Sequence, residues 1–150
     1  FSQDTRARLA EFGTRLGYPI SEDEWVEARR HAMVANSEVL VVAALLKAQA
    51  DVAIYTNNGP IVKNNLHRLL PEAALIFQER FCSYEFGTKK PVPQSFVMLV
   101  ESLDRKPGDC WFIDDKKSNV EGARLAGLTA HHYGKPALFV EEGRRLGFEL

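Results

Sequence analysis

The sequence predicts an α/β fold built on a mostly parallel sheet. From Asn36 onward, short apolar runs alternate with segments of helical periodicity, and this alternation is typical of parallel strands covered by helices. The chain has 150 residues, of which 45% are hydrophobic and 26% are charged. A chain of this composition can bury a core, because disordered chains carry fewer apolar residues and a larger net charge.

The first 35 residues are predicted to be helical. Leu9, Phe12 and Leu16 recur at helical spacing within residues 1–16, which predicts a first helix with one apolar face. Ser21 is followed three residues later by Glu24, the pattern of a capping box at the start of a second helix. We therefore expect a helical segment over residues 1–35, followed by an α/β core over residues 36–150.

The elements of the core are predicted from caps, breakers and apolar runs. Ser37 can cap a helix, Pro60 suits the first turn of another, and Gly127 suits the stop of a third. Helices are therefore expected over residues 38–49, 60–70, 93–103, 118–126 and 137–146. Strands are expected where short apolar runs contain β-branched or aromatic residues, over residues 52–55, 80–83, 110–113 and 129–133.

Charge, hydropathy and cysteine content exclude several classes of protein. The chain has 19 basic and 20 acidic residues, a net charge of −1, so no basic excess predicts binding to nucleic-acid phosphates. The longest apolar run, residues 39–46, is far shorter than the ~20 residues of a membrane span. Cys82 and Cys110 are the only cysteines and cannot form a disulfide framework, which favours a reducing, cytoplasmic location. The oligomeric state is not predicted.

Polar side chains follow three of the predicted strands. Thr56 and Asn57 follow the first, Lys90 follows the second, and Asp114 and Asp115 follow the third. Each group taken alone has a structural explanation: a turn for Thr56 and Asn57, a solvated lysine for Lys90, and a helix cap for one of the two aspartates. Together they predict a site, because ligands of open α/β sheets bind at the carboxyl ends of strands. Adjacent carboxylates repel each other and raise their pKa values unless a cation is present, and hard oxygen ligands suit Mg²⁺.

The order and spacing of these residues resemble the haloacid dehalogenase superfamily, and within it the phosphatases that carry a small helical cap. The second motif of that family resembles Tyr55-Thr56-Asn57. The third resembles Gly87-x-x-Lys90-Pro91-x-Pro93-x-x-Phe96. The fourth and most specific resembles Phe112-Ile113-Asp114-Asp115-x-x-x-Asn119-x-x-Gly122-Ala123-x-x-x-Gly127. The resemblance implies a Rossmann-like core preceded by part of a cap over residues 1–35.

The resemblance also implies a role for each strand-end residue. Thr56 would hydrogen-bond the transferring phosphoryl group, with Asn57 contacting substrate or loop backbone. Lys90 would stabilise the nucleophile and the developing charge. Asp115 would bind Mg²⁺ directly or through water, and Asp114 would be a second ligand or an outer partner. The implied substrate is a small phosphorylated metabolite, such as a sugar phosphate or a nucleotide.

The first motif of the family is absent from this sequence. That motif is an apolar strand ending in Asp-x-Asp, which supplies the nucleophile and the general acid/base. Asp4 and Asp23 lie in polar, helix-like surroundings, and Asp51 precedes its strand rather than following it. Since the family places the nucleophile strand between the strands of Thr56 and Asp114, we expect that the sequence omits an N-terminal piece and that the chain as given is inactive.

Three other functions are alternatives to a Mg²⁺-dependent phosphatase. The dehalogenase branch of the family does not use Mg²⁺, and the pair Asp114-Asp115 disfavours it. Phospho-acceptor receiver domains use similar residues, but there the acidic pair comes first along the chain and the lysine last, the reverse of the order here. A non-catalytic interaction module on the same scaffold is supported by the absent nucleophile alone.

Overall fold

The computed structural model describes residues 5–150, which contain nine α-helices, two short 3₁₀ helices and four short strands. The helices are α1 (Thr5–Leu16), α2 (Glu22–Ala32), α3 (Ser37–Lys47), α4 (Pro60–Asn64), α5 (Leu66–Leu69), α6 (Pro71–Ile76), α7 (Pro93–Ser102), α8 (Lys117–Leu125) and α9 (Pro136–Arg145). The strands are β1 (Ala53–Thr56), β2 (Glu79–Cys82), β3 (Trp111–Asp114) and β4 (Thr129–His132). Residues 1–4 of the predicted first helix lie outside the described residues.

The strands are parallel, as predicted, and form two pairs. β1 pairs with β2 in the register Ala53 to Glu79, and β3 pairs with β4 in the register Trp111 to Thr129. Within residues 5–150 these are two separate two-stranded sheets. One edge of β1 and one edge of β3 therefore have no strand partner in this part of the chain.

Phe96 on α7 connects the two pairs of strands. Its side chain is fully buried, and its ring meets Tyr55 of β1 edge-on at 5.7 Å between centroids and Phe112 of β3 at 5.0 Å. Edge-to-face pairs at this distance add to the stabilisation from area burial. The carboxyl ends of β1 and β3 are therefore positioned by a shared aromatic contact.

Helix α2 is anchored to α4 and α5. Val26 is fully buried in a cluster with Ile61 and Val62, and the Arg68 guanidinium lies 2.7 Å from the Asp23 carboxylate. The predicted capping box is confirmed at the start of α2, where the Ser21 hydroxyl accepts from the Glu24 amide at 3.2 Å. This packing places the opening helices beside the loop that follows β1.

Two predicted helix boundaries were wrong for identifiable reasons. Asn36 rather than Ser37 caps α3, since Asn36 has extended backbone and its side chain accepts from the Val39 amide. The helix predicted over residues 60–70 breaks at Asn65, whose side chain donates to the Ile61 carbonyl at 3.0 Å and to Glu22 at 2.7 Å. A side chain that bonds the backbone in this way competes with helix continuation.

The other predicted elements are present with ends shifted by one or two residues, and α6 was not predicted. β3 begins one residue later than predicted and includes Asp114, because the Tyr133 amide donates to the Asp114 carbonyl and prolongs the ladder. Gly127 follows the end of α8, as predicted. Its φ of +90° favours glycine.

None of the helices within residues 5–150 has the length and apolarity that crossing a bilayer requires.

Gly122 fixes how closely α8 approaches the loop of residues 87–92, here called the Lys90 loop. A Cβ added at Gly122 would overlap the Pro91 carbonyl oxygen and would lie 3.2 Å from the Phe96 ring. Alanine elsewhere in a helix is more favourable than glycine by ~1 kcal/mol, so any loss here must come from steric overlap.

We expect Gly122→Ala to destabilise the protein by about 1–3 kcal/mol, the usual cost of overpacking. Urea unfolding followed by circular dichroism measures this. Gly134→Ala is the matched control, because a Cβ at Gly134 meets nothing within 4 Å. A Gly122→Ala protein as stable as the wild type would contradict the close packing of α8 on the Lys90 loop.

Candidate active site

The carboxyl ends of β1 and β3 meet at the side chain of Lys90. The Lys90 Nζ donates to the Asp114 carboxylate at 2.7 Å and to the Tyr55 carbonyl at 2.8 Å. The Lys90 and Asp114 side chains are each only 9% exposed. The structure therefore brings together two of the predicted site residues in a buried ion pair and places them next to Thr56.

The Lys90 loop is held in place by Asn57. The Asn57 Nδ2 donates to the Lys90 carbonyl at 2.9 Å, and the Lys90 amide donates to the Asn57 Oδ1 at 3.1 Å. The ammonium group also lies 5.3 Å from the centres of the Tyr55 and Phe112 rings, a geometry that favours a cation. Asn57 thus fixes the backbone of Lys90, and the two rings flank its charge.

Asp114 is fully engaged by its neighbours. Its Oδ2 accepts from Lys90, and its Oδ1 accepts from the Lys116 amide and the Asn119 Nδ2, both at 2.9 Å. Burial opposes ionisation of this carboxyl, but Lys90 and the two other donors outweigh burial and lower the pKa of Asp114. The cation that the adjacent carboxylates were expected to need is, for Asp114, the side chain of Lys90.

Asp115 has the opposite environment to Asp114. It is exposed, and within the described residues its carboxylate has no hydrogen-bond or ion-pair partner. Its backbone carbonyl lies 2.9 Å from the His132 Nε2, which fixes the backbone and leaves the carboxylate unengaged. The two carboxylates therefore differ in availability: Asp115 has free lone pairs for a ligand and Asp114 has few.

Thr56 is oriented by a local turn. Its Oγ1 accepts from the Asn58 amide at 3.1 Å and from the Asn58 Nδ2 at 2.9 Å. A hydroxyl can donate as well as accept, and the Thr56 proton has no acceptor among residues 5–150. The hydroxyl is therefore held by two donors and keeps its own proton for an incoming oxygen.

The carboxylates at the end of β3 fit Mg²⁺ as a minimal set of ligands. Residues 5–150 contain no group of three His, Cys, Asp or Glu side chains that could hold a metal ion. Mg²⁺ nevertheless takes only one or two carboxylates, completing its shell with water and phosphate oxygens. Asp115 fits as one such ligand, and Asp114 fits as a neighbour that fixes the loop, since its oxygens already accept three hydrogen bonds.

Sequence reasoning missed two parts of this site. The first is the Tyr55 carbonyl, which accepts from Lys90; nothing in a sequence marks a single backbone acceptor. The second is Asn58, which orients Thr56. A partial signal was available, because a threonine hydroxyl can bond the backbone amide two positions further along the chain.

Comparisons with known proteins identify relatives of this chain. Residues 4–127 match the family model of haloacid dehalogenase-like hydrolases. Phosphatase MT3486 of Mycobacterium tuberculosis is 30% identical over 132 residues, which cover 87% of this chain and 52% of that protein. Flavin mononucleotide hydrolase 1 of Arabidopsis thaliana is 37% identical over 71 residues, 47% of this chain and 29% of that protein. The chain thus spans about half the length of the mycobacterial phosphatase, and less of the plant enzyme.

The fold has counterparts among solved structures. A HAD family enzyme of Bacteroides thetaiotaomicron, crystallised with magnesium and inorganic phosphate, superposes with a TM-score of 0.71 at 21% identity. The superposition covers 87% of this chain and 70% of that one. A predicted HAD-like hydrolase of Porphyromonas gingivalis gives the same TM-score at 20% identity and covers 95% of this chain and 72% of that one. These likenesses establish the α/β architecture.

Replacing Lys90 should cost considerable stability. Lys90→Met leaves the Asp114 charge buried without its cation, and removing one partner of a buried pair typically costs about 3–5 kcal/mol. Urea unfolding measures the loss. The double variant Lys90→Met/Asp114→Asn should recover part of it, because no unpaired charge then remains.

Arg105→Gln is the control for this prediction. Arg105 also forms an ion pair with a distant residue, Asp51, at 2.8 Å, but the pair is exposed, and exposed pairs contribute little. Equal losses of stability for Lys90→Met and Arg105→Gln would show that the Lys90–Asp114 pair is not a buried one.

Proposed function

Because this chain belongs to the haloacid dehalogenase-like hydrolase family, we propose that it supplies the phosphoryl-binding groups of a Mg²⁺-dependent phosphatase acting on a small phosphorylated metabolite. The observation that carries the proposal is the hydrogen-bonding state of Lys90. An ammonium group has three N–H donors, and within residues 5–150 Lys90 uses two, on Asp114 and Tyr55. The third donor remains for an anionic group between the strand ends.

Thr56 and Lys90 act on the same phosphoryl group in this proposal. The Thr56 proton is available to one phosphoryl oxygen, and the remaining Lys90 N–H is available to another or to a nucleophilic carboxylate. Phosphoryl transfer depends mainly on positioning and on neutralising charge. Donors that are already oriented by Asn57 and Asn58 meet that requirement without rearrangement at the moment of reaction.

Asp115 is the proposed ligand of Mg²⁺, with Asp114 holding the loop behind it. When bound, the ion would neutralise negative charge on the phosphate oxygens. A Mg²⁺ ligand here must be an exposed carboxylate with unused lone pairs close to the ends of β1 and β3, and Asp115 is such a carboxylate.

The proposed reaction needs a nucleophile that the described residues do not contain. A carboxylate oxygen attacks phosphorus, the bond from phosphorus to the ester oxygen breaks, and the leaving alkoxide takes a proton from an acid. Water then hydrolyses the acyl phosphate and releases inorganic phosphate. No Asp-x-Asp follows a strand within residues 5–150. We propose that the attacking carboxylate comes from a strand that pairs with the open edges of β1 and β3.

The relatives support this choice of chemistry. One is a phosphatase by name and another a flavin mononucleotide hydrolase, and structural neighbours bind magnesium and inorganic phosphate. Small phosphate esters are therefore the favoured substrates. The dehalogenase branch remains disfavoured by the unused carboxylate of Asp115.

A non-catalytic interaction module is the second candidate function. The observation that favours it is the absence of a nucleophile strand within the described residues. Assays of the whole protein on a broad panel of phosphate esters with Mg²⁺ separate the two functions: release of inorganic phosphate supports the phosphatase, and no turnover on any ester supports the module.

Replacing Lys90 should abolish most phosphatase activity in the whole protein. We expect Lys90→Arg, which keeps the charge but changes the donor geometry, to lower kcat about 10²–10³-fold, the usual effect of losing one preorganised donor. Phosphate release under saturating Mg²⁺ measures this. Lys89→Met is the control, because Lys89 is exposed; a smaller loss in Lys90→Arg than in Lys89→Met would contradict the assignment.

A further inference from the structure

A cavity of about 240 Å³ opens between α1, α2 and the loop that follows β1. Phe12 and Arg8 of α1 form one side of the cavity, and Trp25 and Arg29 of α2 form another. The floor is the start of α4 and the loop segment 57–59. None of the chemistry proposed above uses these four side chains.

The cavity lies next to the Lys90 site, and Asn57 belongs to both. Asn57 lines the cavity, and its side chain forms both hydrogen bonds that hold the Lys90 backbone. A molecule whose phosphate lies at Thr56 and Lys90 would therefore place its remaining atoms towards the cavity. In a phosphate ester those atoms are the leaving group.

The cavity has an aromatic wall. The Phe12 and Trp25 rings are 6.1 Å apart between centroids and tilted by 41°, and both side chains are partly exposed. Aromatic faces that remain open to a cavity favour a flat, apolar ligand group. A cavity of about 150 Å³ accommodates benzene, so 240 Å³ accommodates one substituted ring.

The cavity is also positively charged. Arg8 and Arg29 line it, and none of its lining residues in the described chain is acidic. Arg29 has no ion-pair or hydrogen-bond partner within residues 5–150, whereas its neighbour Arg30 is bonded to Glu27 at 2.8 Å. Arginine recognises carboxylates and phosphates through its planar fork of donors.

We propose that this cavity binds the leaving group of the substrate, and that this group carries an unsaturated ring together with a second negative charge. The inference rests on the proposed phosphatase function. It names the substrate class as ring-bearing phosphate monoesters with an additional carboxylate or phosphate. Aliphatic and uncharged phosphate esters leave the aromatic wall and Arg29 unused and are poor substrates.

Three matched esters test the inference on the whole protein. They are 4-carboxybenzyl phosphate, 4-carbamoylbenzyl phosphate, which lacks the charge, and 4-carboxycyclohexylmethyl phosphate, which lacks the aromatic ring. All three release a primary alkoxide, so differences in kcat/KM report binding of the leaving group. We expect the first to exceed the second about 10–100-fold, the effect of a charged hydrogen bond, and the third about 3–10-fold, the effect of an aromatic contact.

Two variants on α2 test whether the preference for the charged ester arises in the cavity. Arg29→Gln should reduce the preference for 4-carboxybenzyl over 4-carbamoylbenzyl phosphate to less than threefold, and Arg30→Gln should leave it unchanged, since Arg30 faces Glu27. Both arginines are exposed, so both variants should fold. Equal kcat/KM values for the three esters, or equal effects of the two variants, would overturn the inference.

A binding measurement separates this inference from the proposed function. The phosphonate analogue of 4-carboxybenzyl phosphate cannot be hydrolysed, and calorimetry measures its affinity without turnover. Binding that weakens at least tenfold in Arg29→Gln but not in Arg30→Gln supports the cavity assignment even if no ester is hydrolysed. Turnover of all three esters at equal rates would leave the phosphatase proposal standing and reject the cavity assignment.

Discussion

The contact between Lys90 and Asp114 joins the two pairs of strands at their carboxyl ends. Both side chains are buried, and removing either charge from water is costly unless the partner is present. The Tyr55 carbonyl is a second acceptor for Lys90 and lowers this cost further. The ammonium group of the Lys90 loop is thus bonded to both β1 and β3. Asn57 and Gly122 then fix the loop from either side. This contact, together with the packing of Phe96 on Tyr55 and Phe112, positions the ends of β1 and β3.

The same contact divides the polar groups into those already satisfied and those still available. Asp114 accepts three hydrogen bonds and stabilises the site. Asp115, the Thr56 proton and one N–H of Lys90 have no partner within residues 5–150. Polar groups without partners at the carboxyl ends of parallel strands are typical of a binding site, and in the proposed function these three groups bind phosphate and a hard cation.

The sequence predicted the α/β class and most elements because hydrophobic periodicity and capping residues act locally. It did not predict the break at Asn65, since that break depends on Glu22, which lies 43 positions away. Thr56, Lys90 and the aspartates could be chosen from their place after strands. The pairing of Lys90 with Asp114 rather than Asp115 could not be predicted, because it depends on a contact between residues 24 positions apart. The cavity beside α2 was also beyond the sequence, as it exists only where Val26 packs on Ile61 and Val62.

The most direct test of these assignments is a crystal structure of the whole protein with Mg²⁺ and inorganic phosphate. We expect phosphate oxygens within hydrogen-bond distance of the Thr56 hydroxyl and the Lys90 ammonium, with Mg²⁺ bound through Asp115 and Asp114 still paired with Lys90. Phosphate bound away from the ends of β1 and β3, or Mg²⁺ bound without Asp115, would contradict the placement of the phosphoryl site.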